Sequence, residues 1–300
     1  CALPISETIA SLHRLGLFRF AQPKRWGGYE MDPEVFYAVQ MKVAEGCMSS
    51  AWVLGVVAVH NWQLALFDAQ AQADVWSQDP STLISSSYMP RAEVTPVEGG
   101  YRISGRWGFS SGVDHCQWAF LGGLVPDPEG GAPDYRTFLV PRSDFEIDYV
   151  WDTMGLRGTG MAELVFQDCE VPEENVLGEV NGGWQLITAQ LNHERIGLAA
   201  IGGRTYGLWN LVLDWAKENG AIDIPWVQQD FARTHAKLEA MRLLNWKMTA
   251  AVAQDTLSGA DAGATKTYGT ETHVDVYRTL LGILGSAGRI RPESPGALLA

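Results

Sequence analysis

One carboxylate interrupts an otherwise apolar row in the stretch from Asn181 to Gly220. Read as a helix, the stretch places Trp184, Ile187, Leu191, Glu194, Leu198, Ile201, Thr205, Leu208, Val212 and Trp215 on one seam. Steps of three and four residues return a side chain to the same helix face. Burial without a partner would raise the pKa of Glu194, because low dielectric disfavours the charged form. A carboxylate tuned upward is what a general base working near neutral pH requires. The same pattern also fits a structural carboxylate, held in an ion pair or at the solvated edge of the seam. Arg195 is adjacent in sequence and does not face Glu194 on a helix.

The element that must position this group has its own signals. Asn181 can cap the N-terminal end, Gly220 can close the C-terminal end, and Lys217 sits where the helix dipole favours a cation. Gly197, Gly202, Gly203 and Gly207 weaken the helix locally and mark close approach of a neighbouring helix or a ligand.

Composition narrows the partners. In 300 residues with 46% apolar content and 12 Trp there is ample material for a large core. The net charge of −13, with no cluster of Lys or Arg, disfavours nucleic acids and anionic membrane surfaces. No apolar run reaches the length of a membrane span, and no signal peptide is visible. Cys1, Cys47, Cys116 and Cys169 are far apart, with no His cluster at ligand spacing. They read as reduced thiols of a cytoplasmic protein and not as a metal site. Both ends read as cut, since the chain starts at Cys1 and stops just after SPGALL, which resembles the start of another helix.

Along the chain, residues 1–78 read as a helical domain. Asp32 caps a helix with Pro33 at its first position, and a very apolar helix follows from about Ser49 to Phe67. His60 in that helix reads as a hydrogen-bonded core residue. From 79 to 173 the runs are short and β-rich, with Glu98-Gly99-Gly100 as a hairpin signal and a Gly/Pro-rich surface loop over 122–133. This middle block reads as a small antiparallel β domain or barrel. Residues 174–300 return to helix: Pro225 opens a second helix, and Ser258 with Asp261 has capping-box spacing for a third. Three long helices imply an antiparallel bundle completed by a fourth helix from elsewhere. The fold class is α+β.

The order of helices, β domain and helical bundle resembles the acyl-CoA dehydrogenase superfamily, and local motifs agree over nearly the whole chain. WGGYEMDP, VHNWQLALF, SSSYMP, SGRWGFSSGVDHC and VWDTMGLRGTG look like the two-component flavin-dependent aromatic hydroxylases. AELVFQDCEVPEENVLGE, NGGWQLITAQLNHERIGLA, LEAMRLLNW, ATKTYGTE and SPGALL look like acyl-CoA dehydrogenases, especially those acting on steroid side-chain thioesters. The resemblance implies a flavin, FAD, between β domain and bundle, or reduced FMN or FAD supplied by a reductase. It also implies a homo- or hetero-oligomer, with an electron-transfer protein or a flavin reductase as partner. One subset of the dehydrogenases carries its base on the first bundle helix just before an Arg, the position of Glu194-Arg195. Arg195, Leu191 and Leu198 then become candidate substrate contacts.

The segment SGRWGFSSG corresponds to the strand facing the flavin ring. Trp107 would supply a flat wall, and Ser110 and Ser111 hydroxyls for N5 or O4, unless Trp107 packs in the domain core and Ser-Ser-Gly is a turn. Tyr88, in the hydroxylase-like SSSYMP, is a further cofactor candidate. Gly282 and Gly285 are what remains of a Gln-x-x-Gly-Gly stretch and fit a helix end equally. The Arg-x-x-Phe-Gly motif of the dehydrogenases is absent, with WAKENGAIDIPW in its place. Three functions are therefore expected in turn: α,β-dehydrogenation of a bulky, steroid-like acyl-CoA; hydroxylation of a phenol with reduced flavin from a separate reductase; or a non-catalytic subunit of a mixed dehydrogenase.

Overall fold

Hydrophobic periodicity divides this chain into elements that bury one face, several faces or nearly all of their surface, and the architecture follows from that difference. The computed structural model describes residues 6–197, 199–254, 256–291 and 294–295, without the side chains of Ser6 and residues 195–201. The chain forms two compact units, one of Cys1–Phe36 with Ser49–Gly197, the other of Tyr37–Met48 with Leu198–Ala300.

The first unit begins with α1 (Ser6–Arg14), the opening residues of α2 (Pro33–Gly46), then α3 (Met48–Leu64) and α4 (Ala69–Trp76). Proline does start α2, as its fixed φ and missing N–H predict. Helix α3 is apolar all round, and 13 of its 17 residues are buried, which marks it as a core helix and not a surface one.

Eight strands follow: β1 (Ile84–Ser87), β2 (Ala92–Val97), β3 (Gly100–Ser110), β4 (Trp118–Val125), β5 (Asp134–Pro141), β6 (Glu146–Val150), β7 (Ala162–Pro172) and β8 (Val176–Leu177). They form two four-stranded sheets, ordered β1-β4-β5-β8 and β2-β3-β7-β6. The expected antiparallel pattern holds except for β1 and β4, which pair in parallel, and two separate sheets replace a closed barrel. Glu98-Gly99 turns the β2–β3 hairpin with Gly99 at φ 79°, a left-handed conformation suited to glycine. The expected loop over 122–133 is shorter than its glycines suggested, because Gly122 and Gly123 lie within β4.

The sheet of β1, β4, β5 and β8 is covered on both faces. One side packs Ile103, Trp107, Leu164 and Phe166 of the second sheet against Leu121, Phe138 and Val140. The other packs Leu64, Phe67 and Trp76 of α3, its following turn and α4 against Ile84, Phe120 and Leu139. Two-sided burial explains why β4 and β5 read as continuous apolar runs, whereas β7 alternates. Helix α5 (Gly183–Gly197) ends the first unit.

In the second unit, α6 (Ala199–Glu218), α7 (Pro225–Ala253) and α8 (Gly259–Leu284) share a core of Val212, Phe231, Leu238, Val276 and Leu280. Ser258 caps α8, its hydroxyl accepting the Asp261 amide at 3.0 Å. A Cβ on Gly203 would collide with the Met41 carbonyl oxygen of α2. That close approach is what the α6 glycines predict, and it places α2 beside α6. The long helix expected over Asn181–Gly220 is described as α5 and α6, and Leu198 between them lies outside the described residues.

Candidate functional site

The seam pattern on α5 becomes a physical wall in the first unit. Ile187 is 2% exposed, Leu191 and Glu194 are half-buried, and Trp184 is 68% exposed at the start of the helix. Trp184, Ile187 and Leu191 line a pocket of about 480 Å³ together with Tyr88, Pro90, Leu124, Ala132, Pro133, Asp134, Tyr135 and Asn181. Glu194 follows Leu191 by one helical step on the same face. Its carboxylate lies near enough to Tyr88 to act on that phenol's ionisation: burial pushes the Tyr88 pKa well above its usual value, and the Glu194 charge raises it further. The side chain of Arg195 and the whole of Leu198 lie outside the described residues, so their expected substrate contacts are neither placed nor displaced.

Tyr88 links the pocket to α3 and β5. Its hydroxyl donates to Gln63 Oε1 on α3, and its backbone carbonyl accepts the Tyr135 hydroxyl at 2.8 Å. Gln63 is fully buried. His60 stands one turn earlier on α3, its ring 6.1 Å from the Tyr88 ring, with Nδ1 2.6 Å from the Ile84 carbonyl oxygen. A carbonyl accepts only, so Nδ1 carries the proton and His60 is the hydrogen-bonded core residue its surroundings predict. Burial lowers its pKa to about 4, which keeps it neutral. On α5, the His193 ring lies tilted at 35° against Trp62 with centroids 4.0 Å apart, and burial lowers its pKa to about 4 as well.

The strand carrying SGRWGFSSG corrects one expectation. Trp107 has no exposed surface; its Nε1 donates to the Gly122 carbonyl at 3.0 Å and its ring meets Phe166 edge-on at 5.1 Å. It is a core side chain of the sandwich and offers no free wall to a ligand. The pairing of β3 with β7 is irregular between Trp107 and Ser110, and within this bulge Phe109 takes φ 66°. A bulge re-aims side chains, and a bulky residue at positive φ is unusual enough to point to function. Phe109 is 60% exposed and stands 4.6 Å from Trp151. Ser110 is fully buried, and its hydroxyl has no partner among the described residues. Ser111 accepts the Trp52 Nε1 proton at 3.3 Å, which ties this turn to α3.

Gly282 and Gly285 lie at the end of α8, in the second unit. Gly285 follows the helix at φ 55° and its amide returns to Leu281, so it has the helix-closing role that was the alternative reading. Among the described residues no group of His, Cys, Asp and Glu could hold a metal, and no helix is long and apolar enough to cross a membrane.

Comparison with known proteins gives this geometry a family. Residues 181–299 match the acyl-CoA dehydrogenase C-terminal domain. The solved steroid ACAD Tcur3481-Tcur3483 is 38% identical, superposes with a TM-score of 0.81, and the alignment covers 99% of this chain and 80% of that one. The chain belongs to the acyl-CoA dehydrogenase superfamily. Within that superfamily it is similar in two directions. The oxygenase subunit HsaA, a flavin-dependent monooxygenase of Rhodococcus jostii, is 48% identical over 57% of this chain and 44% of its own length. An acyl-CoA dehydrogenase of Mycobacterium tuberculosis is 34% identical over 68% of this chain and 54% of its own length. The chain thus spans about half the length of these curated relatives.

Proposed function

We propose that this superfamily member is a flavin-dependent acyl-CoA dehydrogenase in which Glu194 is the base. The observation that carries the reading is the position of Glu194, half-buried one helical step past the pocket-lining Leu191 and electrostatically coupled to Tyr88, which also lines the pocket. A thioester in the pocket would present its α-carbon to this carboxylate, which takes the α-proton while a C=C bond forms between Cα and Cβ. Bound FAD supplies the acceptor for the hydride that leaves Cβ. Leu191 and Ile187, which line the pocket, would keep water from the reacting carbons.

The residues of the first unit fit such a ring system. A buried hydroxyl without a partner, Ser110, and the neighbouring Ser111 offer donors of the kind a flavin's N5 and O4 require. Phe109, and not Trp107, is the aromatic of this strand with a face to offer. A dehydrogenase structure 38% identical to this chain is a steroid ACAD, which supports a bulky, steroid-like acyl group. Cys47, Cys116 and Cys169 are free thiols, in keeping with a reducing, cytoplasmic compartment. An oligomer, and an electron-transfer protein as acceptor, complete this reading.

A second reading has its own support. The 48% identity to a monooxygenase oxygenase subunit favours hydroxylation of a phenolic substrate with reduced flavin from a reductase partner. Product analysis separates the two. Acyl-CoA under anaerobic conditions should yield the 2,3-unsaturated thioester. A hydroxylated phenol, formed only with reduced flavin and oxygen, together with no enoyl product, would favour the monooxygenase.

A further inference from the structure

Three consecutive residues of β5 grip both walls of the pocket. Side chains alternate along a strand, so Asp134 and Arg136 share one direction and Tyr135 takes the other. On the first side, Asp134 Oδ2 accepts the Asn181 amide at 2.9 Å and the Arg136 guanidinium at 3.4 Å, and Arg136 also donates to the Gly178 carbonyl. Both charges are largely buried, at 7% exposure for Arg136 and 14% for Asp134. They hold the turn before α5, where Gly178 and Asn181 are left-handed at φ 78° and 66°. On the other side, the Tyr135 hydroxyl donates to the Tyr88 carbonyl at 2.8 Å. Between them, α5 starts against the strand backbone itself: a Cβ on Gly183 would collide with the Tyr135 carbonyl oxygen.

We propose that Asp134, Tyr135 and Arg136 are positioning residues, which reference Tyr88 and the start of α5 to one rigid strand and so fix the separation between Tyr88 and Glu194. The inference deepens the reading of Glu194 as base, and on that reading it explains how a carboxylate more than two turns into a helix is held in register with a phenol on a different element. A surface ion pair would contribute little, but this pair is withdrawn from water and bonded at several points, so it selects one arrangement. A register held this way matters because a displacement of about 1 Å at a reacting group lowers rates by about 100-fold.

The test measures the coupling directly and needs no turnover. A fluorinated tyrosine, more acidic than tyrosine, is placed at position 88 of the full chain and titrated by fluorine NMR, with and without Glu194→Gln. In the parent protein Glu194→Gln should lower the phenol's pKa, because the neighbouring negative charge is gone. The same comparison is made in two backgrounds, Tyr135→Phe, which loses only the hydroxyl, and Gly183→Ala, which pushes α5 off the strand. The effect of Glu194→Gln should fall by at least half in both. Should Gly183→Ala not fold, Tyr135→Phe decides alone. An undiminished effect in Tyr135→Phe overturns the positioning role. Turnover is read separately: loss of activity in Glu194→Gln with parental kcat and pH profile in Tyr135→Phe also counts against the proposal, whereas full activity in Glu194→Gln removes the base reading while the coupling result still judges the clamp.

Discussion

Tyr88 and the histidines show how much depends on single buried groups. Tyr88→Phe leaves Gln63 Oε1 buried without its donor, and should lower stability by about 1–3 kcal/mol, read as a shift in the urea midpoint. An unchanged midpoint would mean that the phenol–amide bond is not held in solution. His60 and His273 are both nearly fully buried with pKa values lowered to about 4. The unfolded chain then binds protons between about pH 6.5 and 4 that the folded chain does not, so stability is full above the upper value and falls on acidification. Each histidine should contribute about 3 kcal/mol to that loss, and a flat urea midpoint across this window would contradict it. Glu194 was legible in the sequence because one charge breaks an apolar seam of 3- and 4-residue steps. Gln63 was not, because a helix that is apolar all round gives no face on which a polar residue stands out. The informative signal is that a buried amide must find partners, and Gln63 finds Tyr88.

At the scale of elements, the strand around Trp107 and Phe109 separates packing from binding. Alternation along a strand predicts which face a residue takes, but a bulge resets that alternation and leaves no clear mark in sequence. Trp107 was expected as a ligand wall through the family resemblance, with core packing as its alternative, and it is a core residue; Phe109, re-aimed by the bulge, went unnoticed. Trp107→Phe should lower stability by about 2 kcal/mol through lost packing and the lost Gly122 hydrogen bond, with flavin affinity retained. Phe109→Ala should change stability by less than about 0.5 kcal/mol and weaken flavin binding, measured by fluorescence titration. The reverse pattern would return the wall to Trp107. Helix contacts were easier to anticipate: Gly203 in a helix interior needs a reason, and the Met41 carbonyl supplies it. Gly203→Val should therefore lower the unfolding midpoint by the equivalent of about 1–3 kcal/mol, and a neutral effect would show that α2 does not pack there.

For the whole molecule, the α+β order of helices, β domain and helical bundle was readable from changes in hydrophobic period, and the superfamily from motifs spread along the chain. Three features of the arrangement were not: the parallel β1–β4 pair, the recruitment of α2 beside α6, and the β5 clamp. Each depends on contacts between residues far apart in sequence, which local pattern does not encode. The choice of chemistry rests on where the carboxylate of α5 stands relative to a bound thioester. The most direct measurement is anaerobic mixing of FAD-loaded protein with a series of acyl-CoA thioesters, followed by the flavin's visible absorption, for the parent and Glu194→Gln. The account predicts bleaching in the parent with at least one bulky thioester, slowed by about 10²–10⁴-fold in the variant. Equal bleaching rates in the two proteins, or none in the parent across short, branched and steroid thioesters, would contradict it.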